Sequence, residues 1–213
     1  MSHLSLPRVR RVAMIALGVA ISALLVALYY ANHEPAGAAS NGADKVTVSA
    51  NTDPVFGPGT AVTVLTAHTH NSTTADLAMS LTSECTIATD VTTTGNDTES
   101  AEGKVRMWIE IDKKAVPVSN LATPDDGKVT FCNVAHHRTT KFADSTATID
   151  TMDTFGDSNA FNWTALNVGN GDHTIEVKAE LTETATNKNT AEAAVGKRTL
   201  HVFPGHMAPD ATF

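Results

Sequence analysis

From Lys45 onward the apolar residues recur at a period of two, the spacing that sets alternate side chains on opposite faces of an extended chain. In residues 105–112, Val105, Met107, Ile109 and Ile111 form one face, while Arg106, Glu110 and Asp112 stand on the other. Residues 174–181 repeat the pattern, with Ile175, Val177, Ala179 and Leu181 against Thr174, Glu176, Lys178 and Glu180. A longer run passes from Leu77 through Met79, Leu81, Ser83 and Cys85 to Ile87, which puts Cys85 on the core-facing side. Further strands are predicted at 45–50, 60–67, 127–134, 160–168 and 195–203. Turn formers such as Gly57-Pro58-Gly59, Pro124-Asp125-Asp126-Gly127 and Gly169-Asn170-Gly171-Asp172 separate them. Asp125-Asp126-Gly127 is read as a turn, since Asp-Gly supplies hairpin geometry.

The pattern gives about eight to ten strands, with two long connections, the Thr-, Asn- and Gly-rich stretch 89–103 and the acidic stretch 144–159. No part of this region holds a helical period, and its many threonines, among 31 in the chain, carry a branched Cβ that suits a pleated surface. Antiparallel strands on short turns bury one face of each sheet against another. The expected fold is all-β, a single antiparallel β-sandwich of the immunoglobulin-like or jelly-roll kind, preceded by one N-terminal hydrophobic helix.

That helix is expected from a different pattern. Arg8, Arg10 and Arg11 are followed by an uncharged apolar run from Val12 to Ala31, an order that holds the N-terminus inside and exports the chain beyond Ala31. About 20 apolar residues suffice to span a bilayer, and Tyr29-Tyr30 suit its outer interface. Ala36-Gly37-Ala38 is equally a small-x-small cleavage site behind a polar spacer. Residues 1–38 are therefore a signal sequence or a membrane anchor, and residues 39–213 an extracytoplasmic sandwich domain.

Without residues 1–38, 12 Lys+Arg face 22 Asp+Glu, a formal charge of −10. This is the wrong sign for tracking phosphates, so nucleic acid is not an expected partner. Cys85 and Cys132, 47 positions apart, are the only cysteines. An even count in an oxidising compartment points to one disulfide, which also removes the thiolate–imidazole pair that Cys132 and His136 would otherwise suggest.

The remaining chemistry lies in histidines and acids. His68 and His70 are two apart on a strand and point to one side, the geometry of a two-histidine metal site, zinc for example. A further ligand would come from His136, His137 or an acid across the sheet. Asp150, Asp153 and Asp157 with Ser158 and Asn159 make an oxygen-rich stretch of the sort calcium takes, without EF-hand spacing. A sugar-stacking platform is poorly supplied, since both tyrosines lie in the apolar segment and Trp108 and Trp163 are the only tryptophans. Trp108 falls on the charged face of its strand, either as an exposed contact or beneath a covering segment. Asn71, Asn96 and Asn162 each satisfy N-x-S/T; the first two are placed in loops, and Asn162 lies between Phe161 and Trp163, where a glycan would compete with packing.

The stretches AFNWTALNVGNGDHTIEVKAELT (160–182) and AAVGKRTLHV (193–202), with TSEC (82–85), TTGND (93–97) and VTFCN (129–133), resemble an uncharacterised group of secreted prokaryotic β-sandwich proteins. The resemblance spans most of residues 45–213. It implies an extracytoplasmic sandwich with the paired cysteines, and no activity.

These residues support three functional readings. One is a non-catalytic secreted or surface-exposed module, structural or interacting with an unknown protein partner, held to a membrane if the N-terminal segment is uncleaved. A second is a metal-binding protein built on His68 and His70, extending to a metal-dependent hydrolase. A third is a filament or pilin-like subunit in which a strand from residues 40–50 completes the next copy.

Overall fold

A computed structural model describes residues 44–118 and 125–207; the predicted N-terminal helix and the rest of residues 1–38 lie outside them. Ten strands make up the described chain: β1 (Thr47–Asn51), β2 (Val55–Phe56), β3 (Gly59–Asn71), β4 (Ala75–Thr94), β5 (Thr98–Ile111), β6 (Lys114–Ala115), β7 (Val129–Thr139), β8 (Thr148–Val168), β9 (Gly171–Ala185) and β10 (Thr190–Gly205). Each of the eight sequence-predicted strands is present. The two additions, β2 and β6, are two-residue pairings at sheet margins.

The strands form two antiparallel sheets. Sheet A runs β1-β10-β4-β8, with β2 beside β10; sheet B runs β3-β9-β5, followed by β7 and β6. The pairings nest: β5 with β7, β4 with β8, β3 with β9, β1 with β10. The chain thus behaves as one long double ribbon folded back between β5 and β7 and rolled so that successive pairs alternate between sheets. Because β1 pairs with β10 of its own chain, its sheet position is filled in cis.

Between the sheets lies a core built largely from the inward-facing residues that the period of two marked, including Leu77, Leu81, Ile87, Met107, Ile109, Ile175, Val177 and Trp163, joined by even-numbered Cys132 of β7 and by Leu200 and Val202 beyond the bulge in β10. Trp163 stacks on Phe131, meets Phe161 edge-on, and donates from Nε1 to the Gly127 carbonyl at 2.9 Å. Cys85 on β4 and Cys132 on β7 form a disulfide, Cα–Cα 6.3 Å, that ties one sheet to the other through this core. Two glycines admit close approach. A Cβ on Gly103 would stand 2.5 Å from Ile87 Cγ2, and one on Gly127, whose φ is +70°, would stand 2.1 Å from the Val116 carbonyl oxygen.

The long sides of the sandwich are sewn by polar groups. On one side Thr47 and Ser49 of β1 donate to the carbonyls of His68 and Thr66 on β3, at 3.2 and 2.8 Å. On the other, Asn159 of β8 donates to the Phe131 carbonyl at 2.7 Å, His136 pairs with Asp153, and Arg138 bonds Thr151. Arg198, 3% exposed beside a bulge in β10, donates to the carbonyls of Val64, Asp53 and Gly196 and so pins the chain before β3. Burial pushes its guanidinium below the usual arginine range, offset only in part by the Asp53 charge.

Both expected long connections are corrected. Residues 89–94 finish β4 and 98–103 open β5, joined by a tight turn; residues 148–159 are the first half of β8, paired from Thr94↔Thr148 inward. In the first stretch Thr89 and Thr93 occupy core-facing positions that apolar residues would ordinarily mark. In the second, an edge strand wetted on both faces carries no apolar alternation.

Candidate functional site

The two outer faces of the sandwich differ in chemistry. On sheet B the even-numbered residues of β5 and β9 form an ion network. Glu180 accepts from Lys128 at 2.8 Å and from Arg106, and these bonds hold its carboxyl below the usual glutamate range. Lys178 meets Glu176 at 3.2 Å and Glu110 at 3.8 Å. Trp108, on this face, is 4% exposed, because the Lys128 ammonium sits 4.7 Å above its ring and its Nε1 donates to Glu110 at 3.0 Å. The covered placement of Trp108 therefore holds, and the cover is a lysine.

Sheet A presents the opposite surface over half its length. Register places Val48, His201, Ser80 and Asn162 in one row across β1, β10, β4 and β8. Ala50, Thr199, Thr82 and Ala160 make the next row, and Phe203, Ala78 and Thr164 the one before, with Val46 beside it. None of these twelve side chains is buried, and none is an acid, lysine or arginine. Val48 and Phe203 are 43% and 44% exposed, and the His201 and Phe203 rings stack at 6.1 Å. Charge returns beyond both ends of these rows, with Asp76 the next outward residue of β4 before Ala78, and Glu84, Asp90 and Asp150 farther along β4 and β8. The face could have been found by aligning the even-numbered residues of β1, β4 and β8 with the odd-numbered residues of β10 beyond its bulge, but no single segment shows it.

At one end of the sandwich a cleft of about 610 Å³ opens between residues 111–118 and the end of β8, lined by Lys114, Val116, Val118, Asn162, Leu166 and His173 among others. His173 organises its floor. Nδ1 meets Asp112 Oδ2 at 2.7 Å and Nε2 meets the Gly169 carbonyl at 2.9 Å. Both partners are acceptors, so the protonated ring, with hydrogen on both nitrogens, satisfies this geometry. Burial works against that charge, but the Asp112 and Gly169 bonds outweigh it and raise the pKa above the ordinary histidine value. Burial likewise disfavours the Asp112 carboxylate, and the bonds from His173 and the Thr174 amide overcome it and lower its pKa. Asn71 donates to the same Gly169 carbonyl at 3.1 Å. The sequence alone does not single out this cluster, because its members lie on four separate elements.

His68 and His70 do share the outward side of β3. His70 Nδ1 lies 2.7 Å from Asp172 on β9, so a cross-strand acid is present, and His68 lies 3.4 Å from Thr174 Oγ1. His136 and His137 are on β7, at the other margin of the same sheet with β9 and β5 between. Among the described residues no three histidines, cysteines or acids converge as a cation-ligand set. Asp150 stands on the opposite face of β8 from Asp153 and Asp157, so that acidic trio is not gathered; Asp153 and Asp157 point toward the seam, where inward charge blunts an edge strand. His136 is bonded to Asp153 and Cys132 to Cys85.

Two sequon placements are corrected. Asn71 ends β3 with its side chain buried, not in a loop, while Asn162 faces outward, since alternation turns it away from the inward Phe161 and Trp163. Asn96 is exposed in the β4–β5 turn, as expected.

No family model matches the chain, and no curated protein matches it. Among solved structures, the Eiger TNF of S. frugiperda aligns over 79% of this chain and 97% of its own, at 8% identity and a TM-score of 0.25. The Desmodium yellow mottle tymovirus structure aligns over 84% and 99%, at 11% identity and a TM-score of 0.17. Infectious bursal virus derived T=1 particles align over 81% of this chain and 44% of theirs, at 11% identity and 0.17. At these scores the likenesses bear on neither fold nor function, and the fold rests on the strand order and register.

Proposed function

We propose that this chain is a non-catalytic extracytoplasmic interaction module, a jelly-roll sandwich whose contact surface is the outer face of sheet A. The order β1-β10-β4-β8 over β3-β9-β5-β7 supports a jelly roll over an immunoglobulin arrangement, since it is the double Greek key made by rolling one ribbon. The sheet-tying disulfide is compatible with an oxidising compartment. The observation that carries the functional reading is the contrast between faces. A chain this acidic keeps its solvated surfaces charged, as on sheet B, and a neutral face with exposed Val48 and Phe203 is depleted of charge as interface centres are.

The test adds residues 39–213 to the envelope fraction of the producing cell and measures co-sedimentation. Ser80→Lys and Thr82→Lys should lose binding while Thr66→Lys, on the outer face of sheet B, keeps it. Equal binding by all three contradicts the assignment. The metal-dependent reading on His68 and His70 has the His70–Asp172 pair beside it and has its own check, a chelator-sensitive melting temperature that His70→Ala abolishes. The strand-exchange reading requires β1 to leave its partner β10.

A further inference from the structure

We infer that the partner of this face is a second copy of the same chain, docked face to face about a twofold axis parallel to the strands. This rests on the reading of the face as a contact surface. Three observations favour a copy over another protein. Among the described residues, the charge-free rows form an outer face over which two acidic copies approach without desolvating charged groups of the kind that cover sheet B. Its pitch is that of a four-stranded sheet, which a second sheet of equal pitch covers at about 10 Å. Its largest side chains, Val48, His201 and Phe203, lie in the β1–β10 half, and the β4–β8 half carries smaller ones apart from Asn162. An axis running between β10 and β4 lays the large half of each copy on the small half of the other, an isologous fit.

Area sets the strength. Strands about 4.8 Å apart with same-face residues about 6.8 Å apart give roughly 33 Å² per position, so the twelve positions bury roughly 800–1,000 Å² over two copies. That belongs to weak, transient interfaces, with dissociation constants of about micromolar or above, populated when copies share one surface.

The test uses the full chain in the envelope of the producing cell. Ser80→Cys lies beside the axis, and a short bis-maleimide should link it into dimers, while Thr66→Cys on the opposite sheet stays monomeric. Adding Phe203→Glu to Ser80→Cys should cut the dimer yield at least about tenfold; where that variant fails to fold, exposed Thr82→Lys takes its place. Persistence of the link in the charged background overturns the inference. So does a Ser80→Cys chain that stays monomeric. If that monomeric thiol is nonetheless shielded from a bulky maleimide, the face meets another partner and only the second copy falls; if it reacts freely, the contact-surface reading falls too.

Discussion

Replacing both Cys85 and Cys132 by alanine removes the disulfide crosslink between the sheets. The two residues are 47 positions apart, and in the chain-entropy model freeing a loop of that size costs roughly 4 kcal/mol at 25 °C. Both sulfurs are buried in the main core, so lost packing adds about 1–2 kcal/mol. For a domain of this size each kcal/mol moves Tm by about 2–4 °C, which makes the expected fall at least about 8–16 °C. The double variant should be compared with the parent by calorimetry. Because Cys85 and Cys132 are 1% and 3% exposed, reductant added to the folded parent should act only as fast as the chain opens. A fall under about 3 °C would refute the reasoning, and would mean that the seams β1–β3 and β7–β8 constrain the chain without the crosslink.

Gly103→Ala should cost about 1–3 kcal/mol through the clash with Ile87, and a double-mutant cycle in urea should find most of that cost gone in an Ile87→Ala background. Gly127→Ala should cost more than Gly103→Ala by the same measurement, since it adds a left-handed φ to a backbone clash and displaces the acceptor of Trp163 Nε1. The His173–Asp112 pair should shape stability against pH. His173, with a raised pKa, contributes below its unfolded value near 6.5 and loses that contribution as pH rises through its folded value. Asp112, with a lowered pKa, contributes above its unfolded value near 3.8 and loses it as pH falls through its folded value. Tm across pH 3–9 should therefore be highest between those two limits for this pair, and His173→Asn should flatten the alkaline limb; an unchanged limb would remove the imidazolium assignment. In a host that glycosylates, intact mass should show occupancy at exposed Asn96 and none at buried Asn71.

Strands were readable wherever one face was apolar: residues 77–87, 105–111 and 174–181 needed nothing beyond the period of two. Strand ends and the first half of β8 were not, because Thr89, Thr93 and Glu99 face inward and are satisfied or tolerated by context. Glu99, for example, accepts from Thr186 at 2.5 Å and from Asn187 and Asn189 of the β9–β10 turn. The even cysteine count gave the disulfide and alternation put Cys85 on a core face, but that the bond joins the two sheets follows only from the strand order. The neutral face and the His173 cluster were hidden for one reason: each is assembled from elements distant in sequence, and register alone aligns Ser80 with His201 and Asn162, or His173 with Thr69.

The most direct measurement of the central claim is thiol accessibility in place. Full-length Ser80→Cys and Thr66→Cys chains are labelled on intact cells with a bulky impermeant maleimide, then again after solubilisation and purification at low concentration. A covered sheet A face requires Ser80→Cys to react slowly on cells and quickly once purified, while Thr66→Cys reacts equally in both. Equal labelling of Ser80→Cys before and after purification would show the face open to solvent in its natural setting and would contradict the account.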